Sequence, residues 1–540
     1  MDRILLLIVS GIALHVAQGG VDLQVDPLLL KEVEAVWPII ANADNPLWPG
    51  WDAGDTPMMI YLPGEQEVLL NHPQPAAGFK PYQGPLAPLG QTMMYRDGPT
   101  SIEWDGQNTS REIYGVETLV LADTLSNRKQ WLRGWLADPR PEEEKLTDLP
   151  YASLRADPYE QMAMIAHEAF HVFQMKNLPD KAADERLVRI YPCLAVDNNV
   201  GLALEGDALN RCLRAEDAAS MRAAAVEWLA IRQNRRAELP DAAIEYEDCN
   251  EFFEGTAKYI ELMLMEKLQG ETPIPALWYA QGFHGLDDMK WFREKRLESM
   301  LANMRGEVIV NNDPYGSSPV RSRLYFSGMG IALLLDRLAP DWKQRISRPD
   351  TTLTTLATEA INASDAELLD ALQAIKATPE YAKLRRDKVR LADDGKRDTQ
   401  QMLERIVEGP NTLLVIDYAA LHTTRVGLSY TPFGVRGLDT DRTIYTLVPI
   451  SAVVGSSAYG FDQIVPTPTF EDRAERQFKF QLTEVVSASA LCRQIEQTGN
   501  GPWKVNDLDI QLPGVKLRAV RALITLQERQ IVVHFVPEKD

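Results

Sequence analysis

In the stretch "IAHEAFHVFQ", Ile165 to Gln174, two of the chain's seven histidines stand four residues apart, with a glutamate beside the first. No bulk property restricts the fold as much as this. The flanking residues Met164, Ile165, Ala166, Val172 and Phe173 are apolar, and no proline or glycine interrupts them, so the segment reads as a buried helix. Residues four apart on a helix are separated by about 40° around the axis and about 6 Å along it, which puts His167 and His171 on one side. Glu168 is turned by about 100° from His167. Two imidazoles and a carboxylate buried without a ligand or a network are costly. Their nitrogens can converge on one zinc at about 2.0–2.1 Å, while Glu168 reaches a water beside the ion rather than the ion itself. Coincidence within a helical core is the competing reading, and it predicts that His167, His171 and Glu254 do not converge in space.

The helix has a readable start. "DPYE" supplies an N-cap at Asp157, proline at the first helical position and Glu160 at the third, and Pro179 ends a helix that runs from Pro158 to about Lys176. Further helices are expected over Asn199 to Arg214, Asp217 to Glu238, Asp241 to Leu268, Tyr325 to Leu338, Asp365 to Ala377 and Pro379 to about Ile406. Upstream, nine prolines between Asn45 and Gly90 favour irregular backbone with short strands such as "MMIYL". "TSIEWDG" and "VETLVLAD" read as strands of a small sheet, and "PRPEEEK" reads as a solvated acidic loop. After Gly409 the chain turns β-branched and alternating, and "ALITLQERQIVVHFV" reads as a hairpin turning near Glu528 and Arg529.

The expected organisation is therefore α+β. A signal peptide covers 1–19, a Pro-rich segment with the sheet 20–156, a helical domain 157–409 and a β-rich domain 410–540. The leader reading rests on Arg3, the apolar run Ile4 to Leu14 and small residues from Ala17 to Gly20; an uncleaved anchor or a buried N-terminal helix is its alternative. It implies export, periplasmic or extracellular. No later stretch has the apolar length of a membrane span. The net charge of −21, from 77 acids and 56 bases, opposes phosphate backbones, so nucleic acid is not an expected partner. Cys193, Cys212, Cys249 and Cys492 form no CxxC pair, and either one local disulfide or free buried thiols fits their spacing. The Asn108-Thr109-Ser110 sequon decides nothing.

A catalytic zinc takes three protein ligands and one water. The longer metzincin motif does not apply, because Gln174 and Asn177 stand where it needs Gly and His. Two glutamates downstream compete for the third position: Glu205 in "LALEGDALN" and Glu254 in "FFEGTAKYIEL". "EGTAKY" resembles the E-G-x-A-x-Y signature of gluzincin-type peptidases, including the peptidase-MA-like group. The resemblance covers roughly Asp157 to Trp342. It implies a zincin-like, mainly helical catalytic domain in which Glu254 joins His167 and His171 on Zn2+, with the glycine after the ligand letting helices approach closely. The spacing departs from the pattern, since 83 residues separate His171 from Glu254. That departure leaves Glu205 open as ligand or as partner of a zinc-bound histidine. "SRLYFSGMGIALLLDRLAPDW" looks like the helix that follows in such proteins, and Tyr325 is either an oxyanion donor or a core tyrosine. His284 is a weaker candidate for the donor role. His72, His422 and His534 carry surface or packing roles by default.

These expectations combine into an exported zinc-dependent hydrolase, a metallopeptidase acting on a peptide or protein, with Glu168 as general base. The rival from another class is a secreted binding or scaffold protein that keeps the zincin fold without turnover.

Overall fold

The N-terminal sheet is built from short strands of the kind the prolines permit. In the computed structural model, which describes residues 23–84, 92–102, 106–123, 157–423, 425–499 and 501–538, β1 (Met58–Leu62) lies at its centre. It pairs antiparallel with β2 (Gln66–Leu70) and parallel with β6 (Val116–Ala122). With β3 (Lys80–Pro81), β4 (Met93–Asp97) and β5 (Thr109–Ile113), the strand order is β3-β4-β2-β1-β6-β5. β1 and β2 are buried along their whole length, as central strands covered on both faces are. "MMIYL" and "VETLVLAD" thus form strands as expected. "TSIEWDG" does not: Ser101, Ile102 and Gly106 are outside any strand, 103–105 are outside the described residues, and the strand follows at Thr109–Ile113. The leader at 1–19 and "PRPEEEK" also lie outside the described residues.

One helix here has no counterpart among the elements expected from sequence. Pro27–Ile40 is capped by Asp26, whose side chain accepts from the Leu28 amide, and it buries Leu29, Leu30, Val33, Val36 and Trp37. Its acidic and basic residues are few and its apolar content is close to continuous, which hid the helical period behind a run with no turn signal.

The helical middle follows the expected order. It comprises Pro158–Asn177, Val196–Arg214, Ala218–Arg236, Asp241–Leu268, Lys290–Arg305, Ser317–Leu338, Leu353–Ile361, Asp365–Lys376 and Pro379–Glu408. Lys290–Arg305 and Leu353–Ile361 were not anticipated. The helix expected from Tyr325 begins eight residues earlier, at Ser317. The apolar run marks only its C-terminal part; "SSPVRSR" is polar yet buried, because tertiary partners satisfy it.

Among the described residues, the C-terminal region is a sheet of eleven strands: β7 (Leu413–Asp417), β8 (Val426–Ser429), β9 (Val435–Gly437), β10 (Arg442–Tyr445), β11 (Ser451–Val454), β12 (Gly460–Gln463), β13 (Thr469–Asp472), β14 (Gln477–Gln481), β15 (Trp503–Leu512), β16 (Val515–Gln527) and β17 (Gln530–Phe535). Their order is β8-β11-β12-β16-β17-β7-β14-β13-β10-β9, with β15 beside β16. β16 (Val515–Gln527) and β17 (Gln530–Phe535) form the expected hairpin, with Gln527 opposite Gln530 and Glu528 in the left-handed region at φ 51°. The core of this sheet takes in Val320 and Leu324 from the 317–338 helix, beside Leu414, Ile416, Val435 and Tyr445. The overall class is α+β, with a small N-terminal sheet, a helical middle and a β-rich C-terminal region.

Two compact units divide the chain: Met1–Lys176 with Lys267–Asp288, and Asn177–Glu266 with Met289–Asp540. No helix among the described residues is long and apolar enough to cross a membrane.

Candidate metal centre

The 158–177 helix is fixed at its start by its own cap. Asp157 Oδ1 accepts from the Tyr159 amide at 2.9 Å and the Glu160 amide at 3.3 Å, supplying partners to two of the four orphan donors. Tyr159 donates its hydroxyl to the Gly285 carbonyl at 2.7 Å and accepts the His284 amide at 2.9 Å. Farther along, Phe170 packs against Trp48 and Trp51, each with centroids 5.0 Å away. The Pro-rich segment therefore grips the helix at a residue inside the H-E-x-x-H stretch.

His167, Glu168 and His171 are all buried. The two histidine Nε2 atoms face one another at 3.0 Å. Two donors at about 2.0–2.1 Å from one tetrahedral zinc stand about 3.3–3.4 Å apart, so the pair is close to the spacing a shared ion requires. His171 Nδ1 lies 2.7 Å from Gln174 Oε1. An amide oxygen can only accept, so the proton sits on Nδ1 and the Nε2 lone pair is left for a metal. Gln174 is wholly buried. In the sequence, the signal for this role is the position of Gln174 three residues after His171.

Glu254 sits on the 241–268 helix, also buried. Its carboxylate is oriented by Arg321, which donates from Nη2 to Oε1 at 2.8 Å. From Nη1 the same guanidinium bonds Asn250 Oδ1 at 3.0 Å and Glu185. Tyr325 hydrogen-bonds to Glu254 as well. Burial pushes its hydroxyl pKa well above the ordinary range; Arg321 opposes that shift and the charge of Glu254 adds to it. Tyr325 thus lies within hydrogen-bonding reach of the Glu254 carboxylate. Both partners come from the 317–338 helix, and they reach Glu254 because two glycines meet where the helices cross. A Cβ on Gly255 would lie 2.5 Å from Gly328 Cα, and one on Gly328 would lie 2.1 Å from the Glu251 carbonyl oxygen. The glycine after the expected ligand does allow close approach, and the helix it admits is 317–338.

His167, His171 and Glu254 each offer a ligand atom, and these atoms all lie within 4.8 Å of one another. Two imidazoles and one carboxylate at this spacing form a donor set that could hold a metal ion.

Glu205 is elsewhere and fully engaged. It accepts from Arg232 Nη1 at 2.8 Å and Arg235 Nε at 2.5 Å, with no exposed surface. His284 is exposed, with its ring against Tyr159 at 4.9 Å. His72 Nε2 is 3.0 Å from the Ile113 carbonyl, and His534 Nδ1 is 3.2 Å from Asp417. The cysteines form no disulfide; all four are free thiols. Burial pushes Cys193 and Cys212 up to about 12 and Cys249 up to about 11, so these three remain protonated thiols at neutral pH. Compared with known proteins, the chain matches no family model, no curated sequence and no solved structure.

Proposed function

We propose that this protein is an exported zinc-dependent hydrolase that cleaves peptide bonds. The observation that carries the reading is the buried grouping of His167, His171 and Glu254 next to Glu168 in an H-E-x-x-H helix. When bound, zinc supplies a Lewis acid that polarises a carbonyl and acidifies a water molecule. Glu168 takes the proton of the attacking water and delivers it to the leaving amine. His167, His171 and Glu254 would hold the ion; Gln174, facing His171 Nδ1, would leave the Nε2 lone pair free for it, and Arg321 with Tyr325 would orient the Glu254 carboxylate.

The test is elemental analysis of the chain purified without chelators, beside His171→Ala and Glu254→Ala. One zinc per chain, lost in both variants, supports the site; a wild type that holds no zinc and takes none up removes the basis of the reading. Zinc without cleavage in a peptide-library screen favours the binding or scaffold alternative.

A further inference from the structure

Lys388 stands where the pattern of its helix calls for an apolar residue. The 379–408 helix is polar and solvated over most of its length, and its buried positions are Lys388, Ala392, Gly395 and Ile406. The first three follow the four- and three-residue steps of one helix face, so the ammonium is on the face that packs inward. It has three donors, and among the described residues it uses one, toward the Arg305 carbonyl.

A second cation stands beside it. Residues two apart on a helix point about 200° apart, so Arg323 leaves the 317–338 helix on the side opposite to Arg321. Among the described residues its side chain makes one hydrogen bond, from Nη1 to Asn199 Oδ1 at 2.6 Å, and Nε is buried with no acceptor. A Cβ on Gly306 would collide with Arg323 Nη2 and lie 3.5 Å from Lys388 Nζ. The two cationic ends are therefore within about 6 Å of each other, a gap that the oxygens of one anion span with ordinary hydrogen bonds.

No counter-charge of matching size is at hand. Among the described residues, neither cation is ion-paired with a carboxylate. Tyr191 and Cys193 act on Arg323, but burial pushes the tyrosine well above its ordinary range and the thiol up to about 12, so both are neutral. Asp313, which acts on Cys193, is already paired with Arg436 at 2.9 Å. Glu307 and Asp387 act on Lys388 from side chains 60% and 44% exposed, where water screens them. The helix end at Arg305 carries about half a negative charge, which leaves more than one positive charge uncompensated. Burial, and then the charge of Arg323, push Lys388 down to about 8, and burial pushes Arg323 down to about 10.

We propose that Arg323 and Lys388 bind a small tetrahedral oxyanion with two negative charges, phosphate or sulfate. Arg323 offers Nε and Nη2 as a fork, and Lys388 offers its remaining N–H groups. The two side chains are 2% and 8% exposed, which suits an enclosed ion rather than a group carried on a macromolecule. The anion ties the 317–338 helix to the 379–408 helix. The site shares no residue with the candidate metal centre and does not depend on the zinc reading.

Isothermal titration calorimetry tests this with sodium phosphate at neutral pH, on the full chain dialysed into Tris chloride, beside Lys388→Met and Arg323→Gln. Ion chromatography after heat denaturation detects any anion that dialysis left in place. The wild type is expected to hold or take up one phosphate or sulfate per chain, and each folded variant to bind it at least about tenfold more weakly. Lys388→Met keeps the buried stem, so the comparison stands even where Arg323→Gln does not fold. Equal binding by wild type and Lys388→Met assigns the ion to another place and overturns the proposal. A wild type that releases neither anion and takes up neither at about 10 mM overturns it as well, leaving Arg323 and Lys388 as partners of a helix end only. Acetate held as tightly as phosphate gives the site to a carboxylate and overturns the choice of a dianion.

Discussion

At the scale of single residues, the proposed function gives different tasks to the groups that would hold an ion and to the group that would act beside it. Glu168→Gln keeps the size of the side chain and removes its basicity. It is expected to retain one zinc per chain while kcat falls at least ~100-fold on any peptide the wild type cleaves; undiminished kcat would assign the base elsewhere. Gln174 bears on the candidate ligands through His171. Gln174→Leu removes the acceptor that keeps the proton on Nδ1, and zinc affinity, measured by competition with a chelator, is expected to drop about 10- to 100-fold. Gln174→Glu, which still accepts that proton, is expected to restore it. A merely structural glutamine would leave the chelator titration unchanged in both variants.

At the scale of elements, the crossing of the 241–268 and 317–338 helices decides where Arg321 and Tyr325 stand. It depends on the absence of two Cβ atoms at Gly255 and Gly328. The obstacle to a Cβ at Gly328 is the Glu251 backbone, which has no rotamer to yield with, so the helices themselves must part. Gly328→Ala is expected to cost about 3 kcal/mol in denaturant unfolding and to weaken zinc binding, because both partners of Glu254 retreat with the helix. Loss of stability with unchanged zinc affinity would separate the crossing from the site. The other face of the 317–338 helix carries Val320 and Leu324 into the core of the C-terminal sheet, which gives that sheet a bracing role toward Arg321 and Tyr325.

At the scale of the whole molecule, an acidic chain has committed three arginines to the helical core. Arg232 and Arg235 are buried and share Glu205, and Arg235 and Arg236 share Glu247. Tyr191 donates to Glu247 at 2.6 Å, and Arg232 also meets Glu251, one turn before Glu254. Such a network adds little net stability over an apolar core, yet breaking one partner leaves a buried charge unpaired. Burial alone would raise the Glu247 pKa, but Arg235 and Arg236 outweigh it and hold the group at about 2, against 4.5 ordinarily. A depressed carboxylate pKa stabilises the fold fully above the ordinary value, and the contribution is lost as pH falls through the folded one. The stability gap between wild type and Glu247→Gln is therefore expected to be constant near neutrality and to narrow as pH drops from 4.5 toward 2. A gap that does not change with pH would mean that Glu247 is not held ionised by its arginines.

What the sequence determined by itself is whatever short-range chemistry encodes. The Asp157 cap with Pro158, the four-residue spacing of His167 and His171, the hairpin at Glu528 and Arg529 and the α+β succession all follow from neighbours in the chain, and each is legible there. Glu254 was legible only by likeness to a signature, because no local rule separates it from Glu205: both are helix-borne glutamates followed by glycine. The tertiary structure separated them, giving Glu205 two arginines and bringing Glu254 within ligand distance of the histidines. It likewise drew Tyr325 onto Glu254 and started its helix at Ser317. A buried polar group is stable only where distant partners satisfy it, and which of them meet is decided by packing between elements far apart in the chain.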